Sequence, residues 1–444
     1  MSSTTLNPST FEGPAHNTER QALRKAARAS FMGNFVEWFD YAAYGYLATI
    51  IAATFFPQTD KTTGLLATFA VFALSFLVRP LGGIVWGHFG DRHGRRNALS
   101  WSILIMSVST FCIGLLPGYA QIGLWAPGLL LLIRLVQGFS ASGEYAGAAA
   151  FLAEYAPPGR RGLYTSIVPA STAAGLLFGA AFVAVLHELL SNEALHEWGW
   201  RLPFLLAAPF GLVGRYIRMS LQDTPKFLEM EQRLEHKAGM APTPLRELLG
   251  QHRRSLAIGI GVTCLNAVAF YLLLSYMPTY LSSEMGMSER DSFIASTVSL
   301  ATYIGLIFLM GRLSDQFGRK TMLGVASLLF LGLTVPLFRL LDGQPLLVIL
   351  TIQIVFGAML AMNDGTLPCL LAEIFPTRVR FSGFALSFNV ANALFGGTAP
   401  FIATWLIQVT GSKLAPAGYL LAAALVALVA MLMCRETAHT ALED

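Results

Sequence analysis

Residues 87–96 read GHFGDRHGRR, and the pattern returns at residues 311–320 as GRLSDQFGRK, an offset of 311 − 87 = 224. A second motif, EYAP at residues 154–157, returns as EIFP at residues 373–376, an offset of 373 − 154 = 219. In both copies of the second motif an arginine follows the glutamate at the same spacing. Two motifs repeated at nearly the same offset indicate that the chain consists of two parallel, equivalent halves.

The segments between these motifs are apolar enough to cross a membrane. Of the 444 residues, 54% are hydrophobic and only 13% are charged, which excludes an ordinary soluble domain. A bilayer core takes about 20 apolar residues per helix, and the hydropathy pattern predicts about twelve such helices. Their expected positions are 27–55, 64–89, 98–117, 124–147, 162–187, 201–220, 255–281, 292–314, 320–340, 345–372, 382–408 and 415–434.

One long polar segment, residues 221–254, divides these helices into two sets of about six. We therefore predict an all-α membrane protein with a first half at residues 27–220, a linker at 221–254 and a second half at 255–434. Residues 1–26 and 435–444 are the expected tails. The apolar run after residue 26 is too long for a signal peptide and lacks a small-residue cleavage site, so the first tail is expected to stay uncleaved.

Lysine and arginine predict which side each loop faces. The loops on one side carry most of them, whereas the opposite loops hold little beyond Lys61, Arg290 and Lys413. The positive-inside rule therefore predicts that both termini and the linker are cytoplasmic. The net charge is only +4 and the basic residues form no single patch, so we expect no nucleic-acid partner.

No motif indicates an enzyme, a cofactor or a metal site. The four cysteines lie singly in apolar runs, without a CxxC or Cys/His grouping, which argues against a disulfide framework and a zinc site. The sequence contains no P-loop pattern, so no ATP site is expected. A membrane-embedded hydrolase is not expected either, because no histidine lies deep in a predicted helix.

The first predicted helix contains GNFVEWFDYAAY at residues 33–44, which places two carboxylates in an apolar span. A charge at the bilayer centre costs ~2.5–3.5 kcal/mol, so it persists only with a partner, with water or with a function. Helical spacing puts the polar and aromatic side chains of this stretch on one face and its flanks. These side chains are Asn34, Glu37, Tyr41 and Tyr44 on the face, and Trp38 and Asp40 on the flanks.

Buried arginines are the expected partners of these acids. Arg79 lies in the second predicted helix, and the fourth carries Arg134, Gln137 and Glu144 on one face. Arg134 and Glu144 are about 15 Å apart along the helix axis and cannot pair with each other. The two carboxylates of the first helix are therefore the expected partners of the two arginines, and Glu144 remains nearer the cytoplasmic end.

Two interpretations of this charged group stay open. One is a buried network of ion pairs that only fixes helix register. The other is a coupling device in which Glu37, Asp40 and Glu144 exchange a proton, while an arginine alternates between a carboxylate and an anionic group of a substrate.

The second half has fewer polar side chains within its helices. Tyr271, Asn363, Asp364 and Asn389 are candidate substrate contacts. Asp364 is the only carboxylate deep in this half, and its position beside Asn363 and Gly365 predicts a break in that helix. For the asparagines, hydrogen bonds that merely cross-link helices, at ~0.6 kcal/mol each, are an equal alternative.

The repeated loops are predicted to gate the cytoplasmic side. Glycines let helices approach and turn tightly, and an aspartate at a helix end can bind arginines or helix N-termini across the gap between the halves. A positively charged anchor without a switching role is the simpler alternative. The predicted gating residues are Gly87, Asp91, Arg92, Gly94, Arg95, Gly311, Asp315, Gly318, Arg319, Glu154, Arg161, Glu373 and Arg380.

With these motifs the chain resembles the major facilitator superfamily, and within it the metabolite:proton symporters, which include carriers of proline and betaine, 2-oxoglutarate, citrate and shikimate. The resemblance covers nearly the whole chain and includes RPLGG at residues 79–83, EWGWR at 197–201 and DTP at 223–225. It implies the fold of that superfamily, proton coupling and a place in the plasma membrane of a bacterium. The buried charged positions that it implies are Glu37, Asp40, Arg79, Arg134 and Glu144.

The chain departs from the family pattern in two places. Ser142-Gly143 stands where a glycine pair is expected before the glutamate of the fourth helix, so packing or pocket size can differ there. The printed sequence ends at Asp444, and we expect no long C-terminal coiled coil of the kind found in some osmoprotectant carriers.

We expect a monomeric, proton-driven importer in the lipid bilayer that holds a small polar metabolite between its halves and works by alternating access. Two substrate classes compete. A zwitterion such as proline or glycine betaine would use an aromatic cage for its cation and one arginine for its carboxylate, whereas a di- or tricarboxylate would need both buried arginines. The paired acids of the first helix favour the zwitterion. The expected cage residues are Trp38, Tyr41, Tyr44 and Tyr271.

Overall fold

The computed structural model describes residues 14–57, 61–235 and 244–443. Within these ranges every regular element is a helix. In this described part of the chain, ten helices are long and apolar enough to cross a membrane. Two further helices, the first and the sixth, pack with them to complete two sets of six.

The helices of the first half are α1 (Pro14–Tyr46, continued by Ala48–Phe55), α2 (Lys61–Leu77 and Arg79–His93), α3 (Arg95–Leu115), α4 (Trp125–Ala141 and Glu144–Tyr155), α5 (Arg161–Thr165 and Ile167–Leu189) and α6 (Leu202–Leu205 and Ala207–Met219). Between them lie the short helices Tyr119–Ile122 and Asn192–Glu197, and a 3₁₀ turn at Gly199–Arg201. Two helices of the linker follow, Pro225–Glu235 and Pro244–Gln251.

The helices of the second half are α7 (Arg253–Phe270, continued to Glu284), α8 (Glu289–Phe317), α9 (Arg319–Arg339), α10 (Leu346–Glu373), α11 (Arg380–Ala391, continued by Ala399–Thr410) and α12 (Ala415–Met433). Turns of π-helix interrupt α7 at Tyr271–Tyr276 and at Tyr280–Glu284, and α11 at Asn392–Gly396. Such turns are often found at functional sites.

Two helices differ from the sequence-based expectation. Helix α1 begins at Pro14, so it extends well before residue 27, where the apolar run starts. The break predicted at Asp364 is wrong, because α10 runs unbroken from Leu346 to Glu373. Gly365 serves helix packing instead: a Cβ atom on it would lie 2.8 Å from the carbonyl oxygen of Ile307 in α8.

The two halves meet along two equivalent helix pairs, α2 with α11 and α5 with α8. Glycines make both approaches possible. A Cβ atom on Gly87 would lie 2.5 Å from the Cα atom of Ser382, and one on Gly311 would lie 2.6 Å from the carbonyl oxygen of Gly162. The glycines of the repeated loops therefore let the backbones of the two halves touch.

The same loops turn sharply between successive helices. Gly94 lies between α2 and α3 with φ 95°, and Gly318 lies between α8 and α9 with φ 96°. Residues with a side chain rarely adopt this backbone conformation. The two turns bring the repeated charges of both loops to the same end of the molecule, the arginine-rich end, which carries Arg95, Arg161 and Arg319.

Candidate functional site

The first buried ion pair joins α1 to α2. The guanidinium of Arg79 donates to Glu37 and to the Tyr41 hydroxyl, and all three side chains are buried. Arg79 also lies over the rings of Tyr41 and Phe76, with its Cζ atom 5.2 Å and 4.5 Å from their centroids. The sequence predicted an acid of the first helix as the partner of Arg79, and the structure shows that this acid is Glu37.

The second buried ion pair joins α1 to α4. Arg134 Nη1 lies 2.8 Å from Asp40 Oδ2, and Gln137 Nε2 donates to the same oxygen at 2.6 Å. Arg134 Cζ lies 3.7 Å from the centroid of the Tyr44 ring, and the Tyr44 hydroxyl donates to the carbonyl oxygen of Thr68. The guanidinium is therefore enclosed by a carboxylate, an amide and an aromatic face.

Glu144 has a partner that sequence reasoning missed. Arg218 of α6 donates to both of its carboxylate oxygens, including Nη1 to Oε2 at 2.7 Å. Arg218 also donates to the carbonyl oxygens of Leu99 and Ala29. The sequence did contain a signal for this pair: Arg218 lies near the end of the sixth apolar run, and an arginine buried there needs an acid as partner.

Other predicted contacts hold helices together. Asn34 donates to Val168 O, Ser171 and Thr172, which ties α1 to α5. Asn389 of α11 donates to Ser142 O of α4 at 2.8 Å and so links the two halves. Asn363 is buried, and within the described part of the chain its side-chain atoms have no hydrogen-bond partner.

A cavity of about 370 Å³ lies between the halves. It reaches Tyr46 and Phe293, which lie on the parts of α1 and α8 farthest from the arginine-rich end. Of the predicted substrate residues, Trp38, Tyr41 and Tyr271 line it. Because Tyr41 accepts a hydrogen bond from Arg79, the first ion pair stands directly behind the cavity wall.

A second, much smaller chamber is lined by Asp364, which is also one of the predicted substrate residues. Asn266 Nδ2 donates to its Oδ1 at 2.5 Å, and the Tyr303 hydroxyl donates to its Oδ2 at 2.7 Å. The chamber has room for about one water molecule, at about 20 Å³. Trp38 and Phe270 line both this chamber and the larger cavity.

The arginine-rich end is closed by aspartates that cap helices of the opposite half. Asp91 accepts hydrogen bonds from the backbone N–H groups of Phe381 and Ser382 at the start of α11, at 3.1 and 2.8 Å. Asp315 does the same at the start of α5, accepting from Gly162 and Leu163 at 2.8 and 2.9 Å. Free N–H groups and the helix dipole favour an anion at these positions.

Ion pairs between the halves strengthen this closure. Glu154 of the first half binds Arg380 of the second at 2.6 Å and its own Arg95 at 3.3 Å. Glu373, the equivalent of Glu154 in the second half, binds Arg161 of the first half at 3.3 Å and Arg319 of its own half at 3.2 Å.

The aspartates of the loops complete the two networks with pairs inside each half. Asp91 lies 3.2 Å from Arg95, and Asp315 lies 2.9 Å from Arg319. Arg92 is exposed, and the structure does not bring it into either network.

A third repeat completes the networks and was missed. Asp223 accepts from the backbone N–H of Arg95 at 3.1 Å, and Glu436 accepts from that of Arg319 at 2.8 Å. Each acid precedes a threonine that donates to the glutamate of its half, Thr224 to Glu154 and Thr437 to Glu373. The signal was present in the sequence, since the two acid-threonine pairs are offset by 436 − 223 = 213 residues.

Closure at one end and a cavity toward the other end define one conformation of an alternating-access protein. Every contact described above at the arginine-rich end either joins the two halves or supports a residue that does. Among the described residues, no three His, Cys, Asp or Glu side chains cluster in a way that could hold a metal ion.

Comparison with known proteins agrees with this architecture. A family model described as "Sugar (and other) transporter" matches residues 25–242 and 235–444. The glycine betaine/proline/ectoine/pipecolic acid transporter of Dickeya dadantii is 40% identical over 433 residues, which are 95% of this chain and 85% of that protein. The proline/betaine transporter of Salmonella typhimurium is 38% identical over 429 residues, again 95% and 85% of the two chains.

Among solved structures, a proton:xylose symporter of the major facilitator superfamily, bound to 6-bromo-6-deoxy-D-glucose, superposes with a TM-score of 0.77. The match covers 96% of this chain and 98% of the symporter, at 17% sequence identity, and shows a common fold. The two repeated halves, the family model over nearly the whole chain and the relatives near 40% identity lead to one conclusion: the chain belongs to the sugar (and other) transporter family.

Proposed function

We propose that this protein imports a small zwitterionic solute, such as proline or glycine betaine, together with protons. The observation that carries this proposal is the Glu37–Arg79 pair, buried behind Tyr41 at the wall of the cavity between the halves. It offers one cation for a substrate carboxylate and one acid for a proton. The named substrates of the relatives belong to the same chemical class.

The pair couples the two ligands through charge balance. With Glu37 ionised, Arg79 is neutralised by its neighbour and attracts no further anion. When Glu37 takes up a proton, Arg79 becomes the uncompensated charge in a site of low dielectric constant, and a substrate carboxylate restores neutrality. Proton and substrate therefore bind together, which is the condition for symport.

The second pair plays a supporting part in this mechanism. Neither arginine borders the cavity itself, but Arg79 donates to Tyr41 in the cavity wall. The partners of Arg134 are Asp40, Gln137 and Tyr44, and none of them lines the cavity. We assign proton transfer to Asp40, and we assign to Arg134 the role of keeping the Asp40 carboxylate in place. Only one arginine is then free to meet a substrate carboxylate, which supports a zwitterion over a di- or tricarboxylate.

The gate networks convert binding into transport. The arginine-rich end carries most of the basic loop residues, so the positive-inside rule assigns it, with both termini, to the cytoplasm. The described conformation then faces the outside. Release into the cell requires the caps of Asp91 and Asp315 to leave the opposite half. Because one chain forms both the cavity and the gates, we propose that the monomer is the working unit.

The membrane potential supplies the driving force. A zwitterion carries no net charge, so each accompanying proton moves one charge inward, worth ~2.3 kcal/mol per 100 mV. At 100 mV and one proton per solute molecule, this energy supports an accumulation of the solute of about fortyfold.

A direct test follows the internal pH of proteoliposomes that contain a pH-sensitive dye while proline, glycine betaine, 2-oxoglutarate, citrate and shikimate are added in turn. Acidification with proline or betaine, enhanced by a negative internal potential, is the expected result. If only an organic acid acidifies the lumen, the substrate is an organic acid and not a zwitterion. A third outcome is that none of the five compounds changes the internal pH in vesicles shown to contain folded protein. If counterflow then shows substrate exchange without proton movement, Glu37 and Asp40 have no coupling role.

A further inference from the structure

The small chamber between the halves contains a carboxylate without a cation. Asp364 is 1% exposed, and within the described part of the chain its two oxygens accept hydrogen bonds from the neutral groups of Asn266 and Tyr303 alone. Among the described residues no lysine, arginine or histidine forms a salt bridge with it, in contrast to Glu37 and Asp40. A buried carboxylate without a counter-charge is costly, so it is stabilised by taking up a proton or by binding a positive group.

Aromatic rings surround the same carboxylate. They come from both halves and form two close pairs: Trp38 with Phe270, at 5.3 Å between ring centroids, and Tyr145 with Phe388, stacked at 4.2 Å and 6°. The ring of Tyr303 completes the set. Several aromatic faces around one acid are the usual means of recognising a quaternary ammonium group.

The aromatic residues predicted from the sequence are less free to do this. The Tyr41 hydroxyl accepts a hydrogen bond from Arg79, and the face of the Tyr44 ring is covered by Arg134. Of the cage residues expected in the first helix, Trp38 alone lines the chamber that contains Asp364.

We propose that this chamber binds the ammonium pole of the substrate, with Asp364 as counter-charge and Trp38, Tyr145, Phe270, Tyr303 and Phe388 as its cage. This inference rests on the proposed function, and it divides recognition between the halves. The first half supplies the cation Arg79 for the substrate carboxylate, and the second half supplies the anion Asp364 for the ammonium group. A zwitterion bound in this way draws the two halves together, as occlusion requires.

Access to the chamber is through the larger cavity. Trp38 and Phe270 line both spaces, so their ring pair forms the partition between a cavity of about 370 Å³ and a chamber of about 20 Å³. The chamber as described is too small for a trimethylammonium group. Rotation of the Trp38 and Phe270 rings joins it to the cavity and admits the cation.

The test compares glycine betaine with 3,3-dimethylbutanoate, which has the same shape and carboxylate but a carbon atom in place of the cationic nitrogen. Dissociation constants are measured by calorimetry on the purified full-length protein. The wild type is expected to bind betaine at least about 30-fold more tightly than the carbon analogue. Asp364→Asn should reduce this preference to about 3-fold or less, and Phe388→Leu should reduce it in part. Asp342→Asn, at an exposed carboxylate, is the matched control and should keep the wild-type preference.

The possible failures are distinct. If the wild type binds the carbon analogue or 2-oxoglutarate better than betaine, the proposed function itself is wrong. If the wild type prefers betaine and Asp364→Asn keeps that preference, the cage lies elsewhere and the present inference is overturned. If the same variant keeps the preference and loses only proton-driven accumulation, Asp364 is a proton site and not a cation site. Phe388→Tyr, which preserves an aromatic face, should retain the preference and separates loss of the cage from loss of folding.

Discussion

Glu154 and Arg380 form a fully buried ion pair at 2.6 Å although they are 226 residues apart and belong to different halves. The equivalent residues of the repeat, Glu373 and Arg161, form the corresponding pair at 3.3 Å. Each glutamate also binds an arginine of its own half. When the halves separate at this end, both glutamates therefore lose their partner in the opposite half and keep the one in their own.

The pair between the halves should set the resting conformation. Arg380→Ala removes a buried partner from the closed state alone, where such losses cost ~3–5 kcal/mol. We expect the population open at the arginine-rich end to rise at least about tenfold, measured as the distance distribution between spin labels placed on the two halves. Arg92→Ala, at an exposed arginine in the same loop system, is the control and should leave the distribution unchanged. An unchanged distribution in Arg380→Ala would show that the pair does not govern the equilibrium.

The close approach of α8 to α5 should depend on Gly311. A methyl group at Gly311 would lie 2.6 Å from the carbonyl oxygen of Gly162, whereas one at Gly305 of the same helix would meet nothing within 4 Å. Gly311→Ala should therefore prevent full closure and reduce uptake below about 10% of wild type, while Gly305→Ala should retain it. Initial uptake rates at equal amounts of protein in the membrane give the comparison, and equal rates would exclude the proposed close approach.

The acids of α1 should be needed for accumulation and not for exchange. In Glu37→Gln and Asp40→Asn the side chains stay polar but exchange no proton. The ratio of internal to external solute concentration is therefore expected to fall to about one. Counterflow of labelled substrate should persist at a reduced rate. Asp342→Asn, at an exposed acid, serves as the control. Full proton-driven accumulation in both variants would remove these residues from the coupling role.

A buried arginine should matter far more than an exposed one. Arg134 is fully buried against Asp40 and Gln137, and Arg134→Ala leaves that carboxylate without its cation. We expect binding or coupling to fall at least about tenfold, whereas Arg290→Ala, at an exposed position at the start of α8, should change either by less than twofold. Substrate affinity and the accumulation ratio are the two measurements, and similar behaviour of the two variants would contradict the role of the buried charge.

The sequence by itself determined that the chain is helical and consists of two equivalent halves. Apolar runs identify membrane helices because a bilayer leaves few alternatives for the backbone. The positions of Glu37 and Asp40 along the first helix made Arg79 and Arg134 their expected partners, and the structure has both pairs. The repeated motifs revealed the equivalent halves, and the offset of Asp223 and Glu436 could have revealed the third motif as well.

Only the tertiary structure decided which helices face one another. Periodicity gives the face and depth of a residue but does not identify the neighbouring helix, so the partner of Glu144 in α6 and the pairing of Glu154 with Arg380 could not be read from the chain. The rings around Asp364 come from separate helices of both halves. Their meeting depends on how the halves pack, because side chains from distant segments form one chamber only after the backbones have been brought together at glycine-lined contacts.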